Sequence, residues 1–329
     1  MVDFCTNCQF TLHTIWILRC STFLHKALLN EEGKILKHDN NSRPASKQAV
    51  PVRQTPHTGC EESQLSFSSQ FRRQDNLSTM GFIIHLLRVK QRQQHAERLL
   101  RLLPFPTSIL PAVDGRLLFK RERRGFYQRR LHQPFYPFEL TNAEIGCFLS
   151  HRKAWQTMVD QNIDIAFVME DDIELDNGFY RSLALALAHI GSDDLIRFPM
   201  RRGRESGRQI AKTGNFALIE PTCPGLGMGA QLITRGAAIK LLKATEQVDR
   251  PVDVFLQMFW LTGVVPKSIK PHAIHEISGA LGGSTLKRRK PLLQKCIHEI
   301  LRPLYRGRIK RLARLAGKRR IPSSNVAAR

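Results

Sequence analysis

The sequence lacks any long apolar run. No stretch of about 18 apolar residues occurs, so we expect no transmembrane helix. The partly apolar segment 10–29 is cut by His13, Arg19 and other polar residues and has no small-residue cleavage site, so it is unlike a signal peptide. These absences predict a protein that stays on the cytoplasmic side.

A disulfide framework is also missing. The seven cysteines form an odd, unpatterned set, which favours a reducing compartment. Cys5 and Cys8 form a CxxC pair, but the second pair that a closed zinc site needs is absent at zinc-finger spacing.

Acidic residues are scarce: 28 of them face 51 basic residues, a net charge of +23. This balance indicates an anionic partner, either nucleic acid, an anionic membrane or a phosphorylated substrate. Residues 286–320 contain 14 basic residues and one acid, and therefore contribute 14 − 1 = +13. We predict that 286–329 forms a basic amphipathic tail, and that its composition favours an anionic lipid surface over specific nucleic-acid binding.

Three regions follow from composition and periodicity. Residues 1–79 are rich in Ser, Gln, Asn and Arg over most of their length and predict either a disordered extension or an artefact of start-codon choice. Residues 80–285 alternate strands and helices, which predicts an α/β domain with a mixed, mostly parallel central sheet flanked by helices. Residues 119–137 are interpreted as a mobile loop. The predicted strands include 82–87, 165–169 and 230–234, and the predicted helices include 90–103, 142–161 and 252–261.

An acidic triplet follows the fully apolar predicted strand 165–169. Glu170 and Asp172 are two residues apart, so in an extended chain their side chains point the same way. Neighbouring carboxylates repel unless a cation neutralises them, and Mg²⁺ and Mn²⁺ prefer such oxygen ligands. A solvated strand-to-helix turn explains the same residues, and position alone leaves both interpretations open.

Several segments occur in a fixed order along the chain: 84–88 with Arg92, 112–115, 140–155, 168–173, and 229–234 with 251–253. Together they resemble the signature of glycosyltransferase family 25, over about residues 80–284. This is the family of lipooligosaccharide galactosyl- and glucosyltransferases. The chain departs from the pattern at His85 and Leu87, where the family usually has Asn and Asp, and at Gln231, where it usually has an aromatic residue.

The resemblance implies a GT-A-like nucleotide-sugar-binding domain and an inverting enzyme. It would move galactose or glucose from a UDP-sugar to a lipooligosaccharide, lipopolysaccharide or related lipid-linked glycan acceptor. The implied cofactor is Mn²⁺ or Mg²⁺, held by Glu170 and Asp172. The implied location is the inner face of the inner membrane, bound peripherally through the basic tail.

The same resemblance gives roles to further residues, each with a simpler alternative. Asp253 is the candidate general base or second metal ligand, or else a helix N-terminal acid. His151 would position substrate, or be packed, and Glu144 would act in catalysis, or only complete a capping box with Thr141. The predicted donor-binding residues are Arg88, Arg92, Asp114 and Asp171. The simpler alternatives are a solvated helix face for the two arginines and a structural role for Asp171.

Other polar residues have less specific signals. His272 and His275 lie where some GT-A enzymes supply a further metal ligand. Cys147 is most simply a core cysteine. The glycines 225, 227 and 229 fit a sugar-accommodating loop or a turn. A metal-dependent phosphohydrolase using the same carboxylates, or a basic nucleic-acid-binding protein, remain the alternative functions.

Overall fold

A computed structural model describes residues 77–200, 205–283 and 292–320 of the chain, without the side chains of 292–297 and 320. Almost all of the predicted extension 1–79, with Cys5 and Cys8, lies outside the described residues. So does the beginning of the predicted basic tail.

The described chain alternates between strands and helices. The strands are β1 (Thr79–His85), β2 (Thr107–Pro111), β3 (Ile165–Glu170), β4 (Ile173–Leu175), β5 (Leu195–Arg197), β6 (Gly207–Thr213), β7 (Phe216–Pro221), β8 (Ala230–Thr234), β9 (Pro266–Lys270) and β10 (Ile274–Glu276). The helices are α1 (Lys90–Leu102), α2 (Lys120–Phe126), α3 (Asn142–Asp160), α4 (Phe179–Ala188), α5 (Arg235–Ala244), α6 (Val252–Leu256), α7 (Phe259–Thr262) and α8 (Leu292–Arg320), with a 3₁₀ turn at Gly115–Leu117.

Eight of the described strands form one sheet in the order β2-β1-β3-β8-β5-β9-β7-β6. The pairs β1/β2, β1/β3 and β5/β9 are parallel, and the other four neighbouring pairs are antiparallel. Only β8 and β7 therefore run against the rest, so six strands share one direction. The predicted mixed α/β sheet, mostly parallel in direction, is confirmed.

The core lies on both faces of the sheet. In β3, Phe167 and Met169 pack into a cluster with α1 and α4, while Ala166 and Val168 pack into a second cluster with α3 and α5. A strand that is buried on both faces must be apolar throughout, which explains its uninterrupted apolar sequence.

Most predicted elements are present, with differences that have physical reasons. The interpretation of 119–137 as a loop is wrong for α2, because Phe126 at its end packs into the core and Tyr127 is buried. The predicted helix 252–261 is two short helices, α6 and α7. Strand β6 was not predicted, since its exposed polar sequence lies at the sheet edge and buries little apolar surface.

The C-terminal helix α8 is docked on the domain through one side. Tyr305 and Ile309 are buried against Val254 and Met258. The fully buried guanidinium of Arg250 is bidentate to Asp249, at 2.7 and 2.8 Å, and donates to the Tyr305 hydroxyl at 2.6 Å. This part of the predicted tail is therefore integrated into the packing of the domain.

The outer side of α8 combines apolar and basic residues. Ile300 and Leu304 are 65% and 61% exposed, and Leu315 is also exposed. Arg308, Arg311 and Lys318 continue the same stripe at spacings of three and four residues, and all are exposed. No helix in the described part of the chain is both long and apolar enough to span a bilayer.

Candidate active site

The acidic triplet lies at the carboxyl end of β3, in the middle of the sheet. Glu170 is the last residue of β3, and its amide donates at 2.8 Å to the carbonyl of Gly229, the residue just before β8. The neighbouring strand β1 ends at His85 beside it. Ligands of open α/β sheets bind at this edge, so the triplet occupies a position suited to a site.

Asp171 is buried and fully occupied by protein partners. Its Oδ2 lies 2.7 Å from Nδ1 of His85, and its Oδ1 accepts from Arg92 at 2.8 Å. The same Arg92 nitrogen lies 3.1 Å from Asp172, and its other terminal nitrogen donates to Gly283 O at 2.7 Å. Asp171 and Arg92 thus form a buried ionic cluster that orients the triplet. Their predicted donor-binding roles stay predictions that this geometry does not favour.

Asp172 is the member of the triplet whose ionised form is disfavoured by its surroundings. Burial and, next, the charge of Glu170 raise the pKa of its carboxyl to about 7, with smaller contributions from Asp171 and Glu276 and against the lowering effect of Arg92. Glu276 lies on β10, which pairs with β4 directly after the triplet. The site therefore gathers three carboxylates, Glu170, Asp172 and Glu276, whose mutual repulsion a divalent cation would relieve.

The packing of α3 explains the segment 146–151, which has the pattern Gly-Cys-x-x-Ser-His. A side chain on Gly146 would come within 2.7 Å of Val113 O, so only glycine lets the helix pack on the preceding turn. Ser150 accepts from Val113 N at 2.9 Å and fixes the same contact. Cys147 and His151, one helical turn apart, then face the end of β3.

His151 lies between the triplet and β8. Its Nε2 is 3.4 Å from Oε1 of Glu170, and its Nδ1 is 3.2 Å from Nε2 of Gln231. Three potential metal-ligand atoms, one each from Cys147, His151 and Glu170, lie within 4.8 Å of one another. His151 therefore lies beside the carboxylates. Burial raises the pKa of the neighbouring Cys147 thiol well above its usual value.

Asp253 reaches the same region from α6. Its carboxylate accepts from Gly227 N at 2.9 Å and from Val254 N at 2.8 Å. Its pKa is raised, chiefly by burial, with a contribution from the charge of Glu170. A raised pKa at this largely buried carboxylate is a shift in the direction that suits a group that accepts a proton.

The loop that contacts Asp253 is held by a residue that the sequence analysis did not identify. The buried Arg197, at the end of β5, donates to the carbonyls of Leu226 and Gly227 at 2.9 and 3.2 Å. It also pairs with Glu205 at 2.8 Å. The available signal was an arginine between the apolar residues Ile196 and Phe198, because a buried charge needs partners of this kind.

The remaining predicted residues lie at the margin or serve structure. Glu144 completes the predicted capping box, since it accepts from Thr141 N at 2.8 Å. Arg88 and Asp114 form an ion pair of 2.6 Å beside the ends of β1 and β2. His275 pairs with Asp176 at 2.7 Å, and strand alternation directs it away from the side of Glu276.

Comparison with known proteins identifies the family to which the chain belongs. The sequence profile described as "Glycosyltransferase family 25 (LPS biosynthesis protein)" matches residues 79–256, more than half of the chain. The chain belongs to glycosyltransferase family 25. The resemblance inferred from the motifs is confirmed at the level of the family, and with it the glycosyltransferase class. The matched region contains the triplet, α3 and Asp253, so the site described above lies within the family 25 domain.

Curated relatives of this family 25 chain include several animal proteins. It is 30% identical to procollagen galactosyltransferase 1 of Danio rerio over 54% of the chain and 31% of that protein. It is 32% identical to procollagen galactosyltransferase 2 of Mus musculus over 55% of the chain and 31% of that protein. It is 35% identical to a glycosyltransferase 25 family member of Aedes aegypti over 54% of the chain and 30% of that protein.

The match therefore spans about a third of these relatives, 31% in the first of them. The animal relatives do not support the predicted bacterial lipooligosaccharide acceptor, which stays a prediction. A solved mannose-1-phosphate geranyltransferase from Thermus thermophilus overlaps 52% of the chain and 62% of its own, with a TM-score of 0.27 and 11% identity, too weak a similarity to argue from.

Two departures from the family 25 pattern now have a structural setting. His85, in place of the usual Asn, contacts Asp171 at 2.7 Å, and therefore supports the triplet from β1. Gln231, in place of the usual aromatic residue, is fully buried and contacts His151. Both substitutions put polar groups beside the carboxylates.

Proposed function

We propose that this family 25 chain transfers a hexose, galactose or glucose, from a UDP-sugar to a hydroxyl group of a glycan or glycosylated acceptor. The observation that supports this most directly is the pair Glu170 and Asp172 at the carboxyl end of β3, where burial and the charge of Glu170 raise the pKa of Asp172 to about 7. The names of the curated relatives favour galactose.

The carboxylates fit a hard divalent cation such as Mn²⁺ or Mg²⁺. Glu170, Asp172 and Glu276 offer oxygen donors, and their repulsion is the kind that a cation removes. When bound, the cation would neutralise the charge of the departing diphosphate as a Lewis acid. Asp171, His85 and Arg92 hold the loop that presents these carboxylates.

Asp253 is the proposed general base. The acceptor oxygen attacks the anomeric carbon, the bond from that carbon to the diphosphate oxygen breaks, and UDP leaves. The hydroxyl proton passes to the Asp253 carboxylate, which Gly227 N and Val254 N keep oriented. A single displacement of this kind inverts the anomeric centre. His151, next to Glu170, would position the donor.

Donor binding tests the proposal directly. We expect UDP-galactose or UDP-glucose to bind the full chain in isothermal titration with Mn²⁺, and to bind weakly or not at all with a chelator. If neither nucleotide sugar binds in either condition, the proposal fails. Release of phosphate from nucleotides that carry no sugar would instead support the phosphohydrolase alternative.

Replacing Asp253 with Asn separates its two predicted roles. As a base, Asp253→Asn lowers kcat by about 100-fold or more and leaves donor affinity within about threefold. The measurement is steady-state transfer together with donor titration, and Glu246→Gln, at an exposed position, is the control. A parallel loss of metal-dependent donor affinity would assign Asp253 to the metal instead.

The outer side of α8 is proposed to dock on an anionic bilayer, which would place the enzyme peripherally on the cytoplasmic face of a membrane. From Leu292 to Arg320 the helix has ten basic residues and one acid, and its exposed stripe also has three large apolar side chains. Charged and apolar contacts on one side of a helix are typical of interfacial binding.

Vesicle co-sedimentation tests this surface. Replacing Arg308, Arg311 and Lys318 with Gln is expected to weaken binding to phosphatidylglycerol vesicles roughly 100-fold, from about 1 kcal/mol per basic residue. The control replaces the same number of basic residues outside α8: Lys212, Lys240 and Lys243. Equal losses in both variants, or tighter binding to duplex DNA than to vesicles at the same salt, would contradict the proposal.

A further inference from the structure

Cys147, His151 and Glu170 form a cluster that differs chemically from the carboxylate pair. Cys147 and His151 are four residues apart on α3, so they lie on one face of the helix. Glu170 approaches that face from the end of β3, with Oε1 at 3.4 Å from Nε2 of His151. One ligand atom from each residue fits within a span of 4.8 Å.

The donor set is a thiol, an imidazole and a carboxylate. Zn²⁺ accepts all three, whereas Mg²⁺ and Mn²⁺ prefer oxygen donors. Tetrahedral zinc at about 2.0–2.3 Å from each ligand keeps ligand atoms roughly 3.5 Å apart. The His151–Glu170 distance of 3.4 Å already meets this spacing. With three protein ligands, the fourth position stays open.

Gln231 supplies an independent observation. It is fully buried, its amide contacts Nδ1 of His151, and its Oε1 has no hydrogen-bond partner within the described structure. A histidine that binds metal through Nε2 carries its proton on Nδ1 and donates it to an acceptor. Rotation of the Gln231 amide by half a turn presents Oε1 to that proton, so the acceptor that zinc ligation requires is already in place.

We propose that Cys147, His151 and Glu170 form a binding site for Zn²⁺ or a similar thiophilic cation, with Gln231 orienting His151. On binding, the Cys147 thiol releases its proton to solvent and the sulfur forms a bond to the metal. Glu170 belongs both to this site and to the carboxylate pair. Zinc occupancy therefore inhibits sugar transfer, a consequence that rests on the proposed function.

Cobalt titration reports on the site without any enzyme assay. Co²⁺ serves as a spectroscopic substitute for Zn²⁺, and a cobalt–thiolate bond gives an ultraviolet charge-transfer band. We expect this band in the full chain, its loss in Cys147→Ser, and its retention in Cys223→Ser, the matched control among the free cysteines of the described structure. His151→Asn should also lose it, which covers the possibility that Cys147→Ser does not fold.

The CxxC pair at Cys5 and Cys8 needs its own control. The double variant Cys5→Ser/Cys8→Ser should keep the band. Loss of the band in this variant, together with its retention in Cys147→Ser and His151→Asn, would overturn the proposal. Gln231→Met tests the positioning role: we expect Co²⁺ affinity to fall about 10- to 100-fold. Unchanged affinity in Gln231→Met would remove Gln231 from the site.

Inhibition is measured as the ratio of transfer rates with and without Zn²⁺ at fixed Mn²⁺. The ratio should fall in the unmodified chain and fall much less in Cys147→Ser. A cobalt band without UDP-sugar turnover under any condition would reject the proposed function and leave the zinc site intact. Turnover without a band, or with equal zinc sensitivity in both proteins, would reject the zinc site.

Discussion

Replacing Asp172 with Asn is expected to lower donor turnover by about 100-fold or more while stabilising the metal-free protein. Turnover falls because the amide removes one of the charges that hold the cation. Stability rises because the ionised Asp172 is buried next to Glu170 and Glu276. The contact to Arg92, at 3.1 Å in the native chain, can be kept by the amide oxygen.

The raised pKa of Asp172 determines how the stability difference between Asp172→Asn and the native chain changes with pH. The pKa of Asp172 is about 7 in the folded chain, against a usual value of 3.8, so the folded state holds the proton more tightly than the unfolded state. Stability therefore falls as pH rises from about 4 to about 7, and the penalty is complete above that range. Relative to the native chain, Asp172→Asn should gain about 4 kcal/mol at pH 8 and about 2 kcal/mol at pH 5.

Thermal unfolding in chelator and with Mn²⁺ measures both effects. The native chain should gain stability from Mn²⁺, and Asp172→Asn should not. Asp176→Asn is the matched control, since Asp176 pairs with His275 and not with the triplet. A variant that loses stability in chelator at pH 8, or that still responds to Mn²⁺, would contradict the role given to Asp172.

Arg250→Met should destabilise the protein by about 3–5 kcal/mol. The methionine keeps much of the side-chain volume but leaves Asp249 buried and without the bidentate partner that lies at 2.7 and 2.8 Å. It also removes the 2.6 Å contact to Tyr305, which docks α8. Loss of a partner from a buried pair costs far more than the pair's net contribution.

Urea unfolding of the full chain measures this effect. Arg208→Met is the control, because Arg208, on the exposed edge strand β6, pairs with Glu220 on β7, and surface pairs of this kind contribute about 0–1 kcal/mol. Similar midpoints for the two variants would show that α8 is not held by Arg250. Because Arg250 holds α8 on the domain, we also expect truncation of the chain at residue 285 to destabilise the domain, besides any effect on membrane binding.

Local sequence signals predicted the parts of the site that depend on neighbouring residues. The apolar strand before Glu170 and the Thr141–Glu144 capping box are short-range patterns, and both are found as predicted. The placement of Asp171 in a supporting role followed from alternation along the strand. Elements built from consecutive residues could therefore be predicted with useful accuracy.

Contacts between distant parts of the chain could not be predicted in this way. Glu276 lies more than a hundred residues after Asp172, and only the pairing of β10 with β4 brings it near. Gln231 reaches His151 because β8 runs antiparallel beside β3. Arg197 and Arg250 are single basic residues whose partners lie on other elements, so their sequence neighbours give no indication of their role.

The order of strands constrains how this chain can fold during synthesis. Strand β9 pairs with β5 on one side and β7 on the other, yet it follows β5 by about 70 residues. Until residue 270 has left the ribosome, both neighbours keep open edges, and Arg197 at the end of β5 lacks Ser268, one of its partners. Sheets completed by such late, long-range pairing fold slowly and expose edges that aggregate. We therefore expect a nascent chain of this protein to remain a substrate for chaperones until β9 emerges.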